Sequence, residues 1–234
     1  MHIPDGLIDG PASAGAAAVA ATGVAVATRR VGTELQERQA PMVGLVAAFV
    51  FALQMLNFPI GAGTSGHLMG GALAAVLVGP AAAVVALTVV LGAQALLFAD
   101  GGLTALGLNT VNVALVGVIG GYVVFLAVRS LLPRTDAGVA TAAGVGAWAG
   151  TVLGSLAFVV EYAVGGNGGA PVAAVAWAMV TTHALIGVGE GLITSAVVGS
   201  VLRARPDLVA GAHLRSATVS SVPAAPQLVT EGAP

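Results

Sequence analysis

Residues 57–71 read NFPIGAGTSGHLMGG, and the apolar chain on either side must fold around this break. Pro59, Gly61, Gly63 and Gly66 forbid a regular helix, so a loop is expected here. Thr64 and Ser65 place two hydroxyls just before His67, where they can cap a helix that opens at that residue. The apolar run from His67 to Val78 stops at Gly79-Pro80. A bilayer core takes ~20 apolar residues to cross as a helix, so this run cannot span alone. It must tilt, lie half-buried, or start inside the protein from a re-entrant loop. Non-helical backbone at membrane depth is tolerated only where protein covers it or it lines a cavity.

The rest of the chain agrees with a membrane setting. Of 234 residues, 57% are hydrophobic and 8% charged, with a mean hydropathy of +0.99; a soluble domain carries about 25% charged residues. The 34 glycines suit helices packed closely in lipid. The absence of cysteine excludes disulfides and thiolate metal sites. A formal charge of −2 says nothing about a partner, and no nucleic acid partner is expected. Breaks at Gly, Pro and charged clusters predict seven segments: 11–28, 41–58, 67–79, 81–98, 104–131, 138–160 and 171–202. The expected fold is therefore an all-α membrane bundle of about seven helices, with the third one short. Its membrane domain covers 1–202, and a disordered cytoplasmic tail covers 203–234. All eight basic residues are arginines: Arg29, Arg30, Arg38, Arg129, Arg134, Arg203, Arg205 and Arg215. With the N-terminus outside, every one lies in or within a turn of a cytoplasmic piece, as the positive-inside bias requires. That orientation predicts a multi-pass protein with its N-terminus out and its C-terminus in. No secretory signal is expected, because the residues ahead of the first apolar run lack the usual cations.

Polar groups at bilayer depth are costly and usually face the bundle interior. Gln54 and Asn57, three apart, are expected on one face near the outer end of the second helix. Gln94 falls near the outer end of the fourth, and Asn109 and Asn112 near the outer start of the fifth. His67 opens the third from the same side. These amides are either interhelical glue, worth ~0.6 kcal/mol each on average, or the surround of a site. Met1 and His2 lie in the same outer layer. The Met1 amine, the His2 amide nitrogen and the His2 imidazole can close two fused chelate rings on one ion. Removal of the initiator Met generally needs a small second residue, so retention is expected before His2. His67 can then supply a fourth nitrogen. Four nitrogens near one plane suit Ni(II) or Cu(II). Binding must displace protons and so strengthens as pH rises. An outward-facing site of this kind suggests capture for uptake.

MHIPDG (1–6), FVFALQMLNFPIGAGTSGHLMGGALAAVLVGP (49–80) and QALLFADGGLTALGLNTVN (94–112) resemble the CbiM/NikM family. This family comprises the substrate-capture (S) components of energy-coupling factor importers for cobalt and nickel. The likeness returns more weakly at THALIGVGEGLITS (182–195). It implies a seven-helix S component whose N-terminus dips into the bundle. It also implies a metal held by Met1, His2 and His67. The transported ion is Co2+ or Ni2+, cobalt being favoured because the CbiM-like group is the broader one, and no resident cofactor is implied. Partners implied are an energy-coupling transmembrane (T) subunit, cytoplasmic ATPases and a small CbiN/NikN-like membrane subunit. The chain has no GxxxxGK[ST] phosphate loop and is not expected to be an enzyme. Gly44, Ala48 and Ala52 have the spacing of a small-residue contact for the coupling subunit or for internal packing; Gly146, Gly150 and Gly154 share that ambiguity.

His183 and Glu190 lie seven apart on the last helix, on one face and ~10 Å apart along the axis. They form either a proton relay or a polar lock. A relay belongs to a rival function, a self-sufficient proton-coupled transporter or channel. An intramembrane metalloprotease is disfavoured because no H-E-x-x-H occurs. Glu161 is expected at the interface, and His213 in the solvated tail.

Overall fold

A computed structural model describes residues 1–35, 39–60 and 64–212, without the side chains of Glu34, Pro59 and Thr64. Gly61, Gly63, Arg38, His213, Arg215 and the tail from 213 on lie outside the described residues. Within them the chain forms seven helices: α1 (Gly10–Glu34), α2 (Ala40–Gln54), α3 (Gly71–Val78), α4 (Pro80–Phe98), α5 (Leu106–Leu131), α6 (Asp136–Gly165) and α7 (Val172–Ala204). Five of these, α1 and α4–α7, are long and apolar enough to cross a membrane. The protein is a multi-pass, all-α bundle.

Proline and glycine set the boundaries. Pro occupies the first turn of α1, α2 and α4, where its missing N–H is no loss. Asp9 caps α1 by accepting the Ala12 N–H at 2.8 Å. Gly79, at φ +86°, turns the chain from α3 directly into α4. That backbone region strongly disfavours side chains. The central part of α5, Thr110–Gly120, is wound as a π-helix.

The stretch at 57–66 departs from the expected irregular loop. Phe58–Ile60 (β1) and Thr64–Gly66 (β2) form a small antiparallel hairpin, with Phe58 opposite Gly66. Consequently α2 ends at Gln54, and Asn57 lies beyond it on an exposed connector. The expectation that Gln54 and Asn57 share a helix face therefore fails. The expected hydroxyl cap on α3 fails too. The helix opens at Gly71 behind Gly70, which has φ +71° and no side chain to offer.

The core is organised around α3, whose residues Gly71 to Leu77 are all buried. Glycine lets α5 and α6 close on one another. A Cβ on Gly150 would stand 2.6 Å from the Gly117 carbonyl oxygen, and one on Gly146 2.6 Å from that of Gly121. The 146/150/154 stripe is thus internal packing. Gly44, Ala48 and Ala52 instead face outward, with nothing within 4 Å of a Cβ built on Gly44. Residues beyond α7 fold back in short 3-10 turns. These bury Val209 and lay Gly211 against Phe125 and Val76.

Candidate metal centre

The amino-terminal segment is drawn into the bundle. Met1, His2 and Ile3 are 1%, 4% and 0% exposed, although no helix contains them. Buried backbone groups must be paired, and the connector after α4 together with the first turn of α5 does this. Asn109 accepts the Ile3 N–H at 2.8 Å and donates to the Ile3 carbonyl at 3.2 Å. The Gly102 N–H donates to the same carbonyl at 2.8 Å. Asp5 accepts the Thr104 N–H and hydroxyl at 2.8 and 2.6 Å. Further along, the Asp9 N–H donates to the Gly165 carbonyl, and the Asn167 N–H to that of Leu7. The Met1 side chain packs beside Gly154 and Met69.

This docking sets His2 against His67. Their rings stack with centroids 4.3 Å apart and planes at 22°. His67 Nδ1 lies 2.8 Å from the Leu68 carbonyl oxygen. A carbonyl can only accept, so Nδ1 carries the proton and Nε2 keeps its lone pair. That Nε2 is buried without a hydrogen-bond partner. His2 Nδ1 stands 2.8 Å from Asp100 Oδ1, close but poorly aligned for a hydrogen bond. Asp100 Oδ2 also accepts from Asn57 Nδ2 at 2.9 Å. Burial pushes the Met1 amine well below the ordinary α-amino value, against a smaller opposing pull from Asp100. Burial likewise lowers His2, and Asp100 partly opposes it. Asp5, exposed and held by the Thr104 hydroxyl and amide, lies below the usual carboxylate range.

The other polar residues separate into distinct duties. Gln94 is fully buried, and neither of its amide atoms has a hydrogen-bond partner; it interacts with His2. Gln54 donates to the Met69 carbonyl at 2.7 Å. Asn112 donates to Glu161 Oε2 at 2.6 Å, so Glu161 is half-buried and ties α6 to α5. Asn109 and Asn112, three apart, thus serve different neighbours, Ile3 and Glu161. Ser65 sits across the hairpin from Pro59. Thr64 pairs with Ile60 through its backbone; its side chain lies outside the described residues. His183 and Glu190 share the buried stripe of α7. His183 Nδ1 donates to the Met179 carbonyl at 2.8 Å, leaving a buried Nε2 without a partner. Glu190 accepts from Met69, Gly70 and Thr151, which is an anchoring geometry.

Asp100, Asp5 with Thr104, and the Asn109–Ile3 pairing were not singled out from the sequence. Asp100 carried the one available signal, an acidic residue inside the QALLFADGG block. Among the described residues, no three His, Cys, Asp or Glu side chains come together as a metal site.

The bundle and its comparisons define a class: a membrane substrate-binding protein, a transport subunit without catalytic activity. Within that class the chain belongs to the CbiM family, whose description is "cobalt uptake substrate-specific transmembrane region" and whose model matches residues 2–208. This is the CbiM/NikM group of substrate-capture components linked to cobalt and nickel energy-coupling factor transport. The chain is 42% identical over 217 residues to a putative metal transport protein of Haloquadratum walsbyi, covering 89% of this chain and 93% of that one. It is 41% identical to a putative fused nickel transport protein NikMN of Archaeoglobus fulgidus, covering 89% and 68% of the two chains. It is 38% identical to the cobalt transport protein CbiM of Geobacter sulfurreducens, covering 90% of this chain and 62% of that protein. A crystal structure of a truncated transition metal transporter superimposes with a TM-score of 0.81 at 31% identity, over 87% of this chain and 99% of the other.

Proposed function

We propose that this chain captures Co2+ or Ni2+ at the outer face of the membrane for an ATP-driven importer. The ion is held by the Met1 amine, the His2 amide nitrogen, His2 Nδ1 and His67 Nε2. The observation that carries this reading is the buried stack of His2 on His67, with the His67 lone pair unclaimed. Uptake of an ion at His2 Nδ1 displaces the Asp100 contact, leaving that carboxylate beside the bound cation to offset its charge. Gln94, buried with both amide atoms unpartnered and acting on His2, is a polar neighbour able to adjust to that change.

The six described arginines cluster at the bundle end opposite this site, near Glu34, Leu131 and Ala204. This supports the N-terminus outside and the C-terminus in the cytoplasm. The outward stripe Gly44, Ala48 and Ala52 is a surface suited to the transmembrane coupling subunit. Cytoplasmic ATPases supply the energy, and a small CbiN/NikN-like subunit completes the assembly. Of the two ions, a plane of four nitrogens favours nickel on ligand-field grounds. The expectation of cobalt rests on family breadth alone.

The test is metal content after purification from medium with equal cobalt and nickel. Wild type should carry close to one ion, of a kind that settles the preference. His2→Ala and His67→Ala should carry almost none. Retention of the ion by folded His67→Ala removes the proposal.

A further inference from the structure

Glu190 lies 3% exposed in the middle of α7, and among the described residues no cationic side chain pairs with it. A carboxylate at that depth is costly, so its contacts should explain its presence. Oε2 accepts the Met69 N–H at 2.7 Å, and Oε1 accepts the Gly70 N–H at 2.9 Å. The Thr151 hydroxyl of α6 lies 2.8 Å from Oε2. On its other side the same backbone is held by Gln54, which donates to the Met69 carbonyl at 2.7 Å. Met69 is therefore fixed through both its N–H and its C=O. His67 stands two residues upstream, its ring tied to the intervening Leu68 carbonyl. Gly70, at φ +71°, turns the chain here with Val50 filling the space where a side chain would sit.

Two adjacent, convergent N–H groups explain the choice of side chain. A carboxylate presents one acceptor oxygen to each. An amide of the same shape has a single oxygen and would set its NH2 against the second N–H.

We propose that Glu190 is a positioning residue for His67. Through the Met69–Gly70 backbone it sets where the His67 Nε2 lone pair points, and through Thr151 it ties that setting to the α6–α7 pair. The inference rests on the metal site proposed above. Loss of a ligand-orienting partner outside the ligand set typically weakens metal binding about 10- to 100-fold.

The test uses the full chain in detergent with NiCl2 or CoCl2. Affinity is read by competition with a chromogenic chelator, and ligand geometry by the visible d–d bands of the bound ion. In Glu190→Gln, affinity should fall about tenfold or more, with the bands displaced from wild type. Wild-type affinity and bands in folded Glu190→Gln overturn the proposal. So does weaker binding with unmoved bands, which a general loosening of the bundle would produce. If Glu190→Gln does not fold, Thr151→Val carries the same two readouts with the same outcomes, because it removes the hydroxyl that holds the carboxylate. His67→Ala separates the two levels. Wild-type binding there removes the metal site itself, whereas lost binding in His67→Ala beside unchanged Glu190→Gln removes only the positioning role.

Discussion

Replacing Asn109 with Leu tests the docking on which the site depends. The substitution keeps the branched shape of the side chain and deletes two buried hydrogen bonds to Ile3, of 2.8 and 3.2 Å. The Ile3 carbonyl retains the Gly102 N–H, so its loss is modest. The Ile3 N–H is left bare at a residue that is 0% exposed. A stranded buried donor costs about 1–3 kcal/mol. Taking about 2 kcal/mol, and 1.4 kcal/mol per factor of ten, the docking equilibrium shifts about 30-fold. Hydrogen–deuterium exchange reads that shift directly even while the docked state predominates. Amides of His2, Ile3 and Asp5 should exchange about 30-fold faster in Asn109→Leu, with the helices unchanged. Metal affinity should fall by up to the same factor, because the ligands assemble only in the docked state. Wild-type exchange at His2, Ile3 and Asp5 in a folded variant would refute the reasoning, since the Ile3 amide would then need no partner.

Other expectations follow from the same contacts. Because burial lowers the Met1 amine, at neutral pH it holds less of its proton than an ordinary amine with a pKa near 8. Each ion should then displace less of a proton at pH 7 than it does from a free peptide beginning Met-His. The slope of log affinity against pH should accordingly be shallower for the protein, and equal slopes would contradict the buried amine. The folded Asp5 carboxyl is depressed by Thr104, so its contribution is present above the unfolded value near 3.9 and lost as pH falls through the lowered folded value. Thr104→Val should move that loss to higher pH, seen as earlier exposure of residues 1–9 to exchange. Gly150→Ala should lower thermal stability by about 1–3 kcal/mol through overpacking, because its Cβ meets the Gly117 carbonyl at 2.6 Å. Gly44→Ala, inside α2 with open space around it, should raise stability by about 0.5–1 kcal/mol and leave metal affinity unchanged.

Much of the architecture was legible in linear order because lipid imposes it. Apolar runs long enough to cross a bilayer, broken at Pro and Gly, located the seven helices to within a few residues at most ends, and the arginines gathered at one end of the bundle. The largest misreading was the end of α2. The run through Phe58 is apolar but for Gln54 and Asn57, so hydropathy cannot tell a helix from the hairpin β1–β2 that replaces its last turn. Asn57 was misplaced for that reason.

Partnership among the polar groups belonged to the tertiary structure. From the chain alone, Met1, His2 and His67 could be named as nitrogen donors in one layer, because residue type and loop position carry that much. Nothing local says that Asn109 grips Ile3, 106 residues away, or that Glu190 reaches 121 residues back to the Met69 N–H. Hydrogen-bond satisfaction is settled only when buried groups meet, and a periodic pattern constrains which face a residue occupies without fixing its neighbour. Asn109 and Asn112 sharpen the point: three apart in sequence, they bond Ile3 and Glu161 on different elements, a division that spacing alone does not announce.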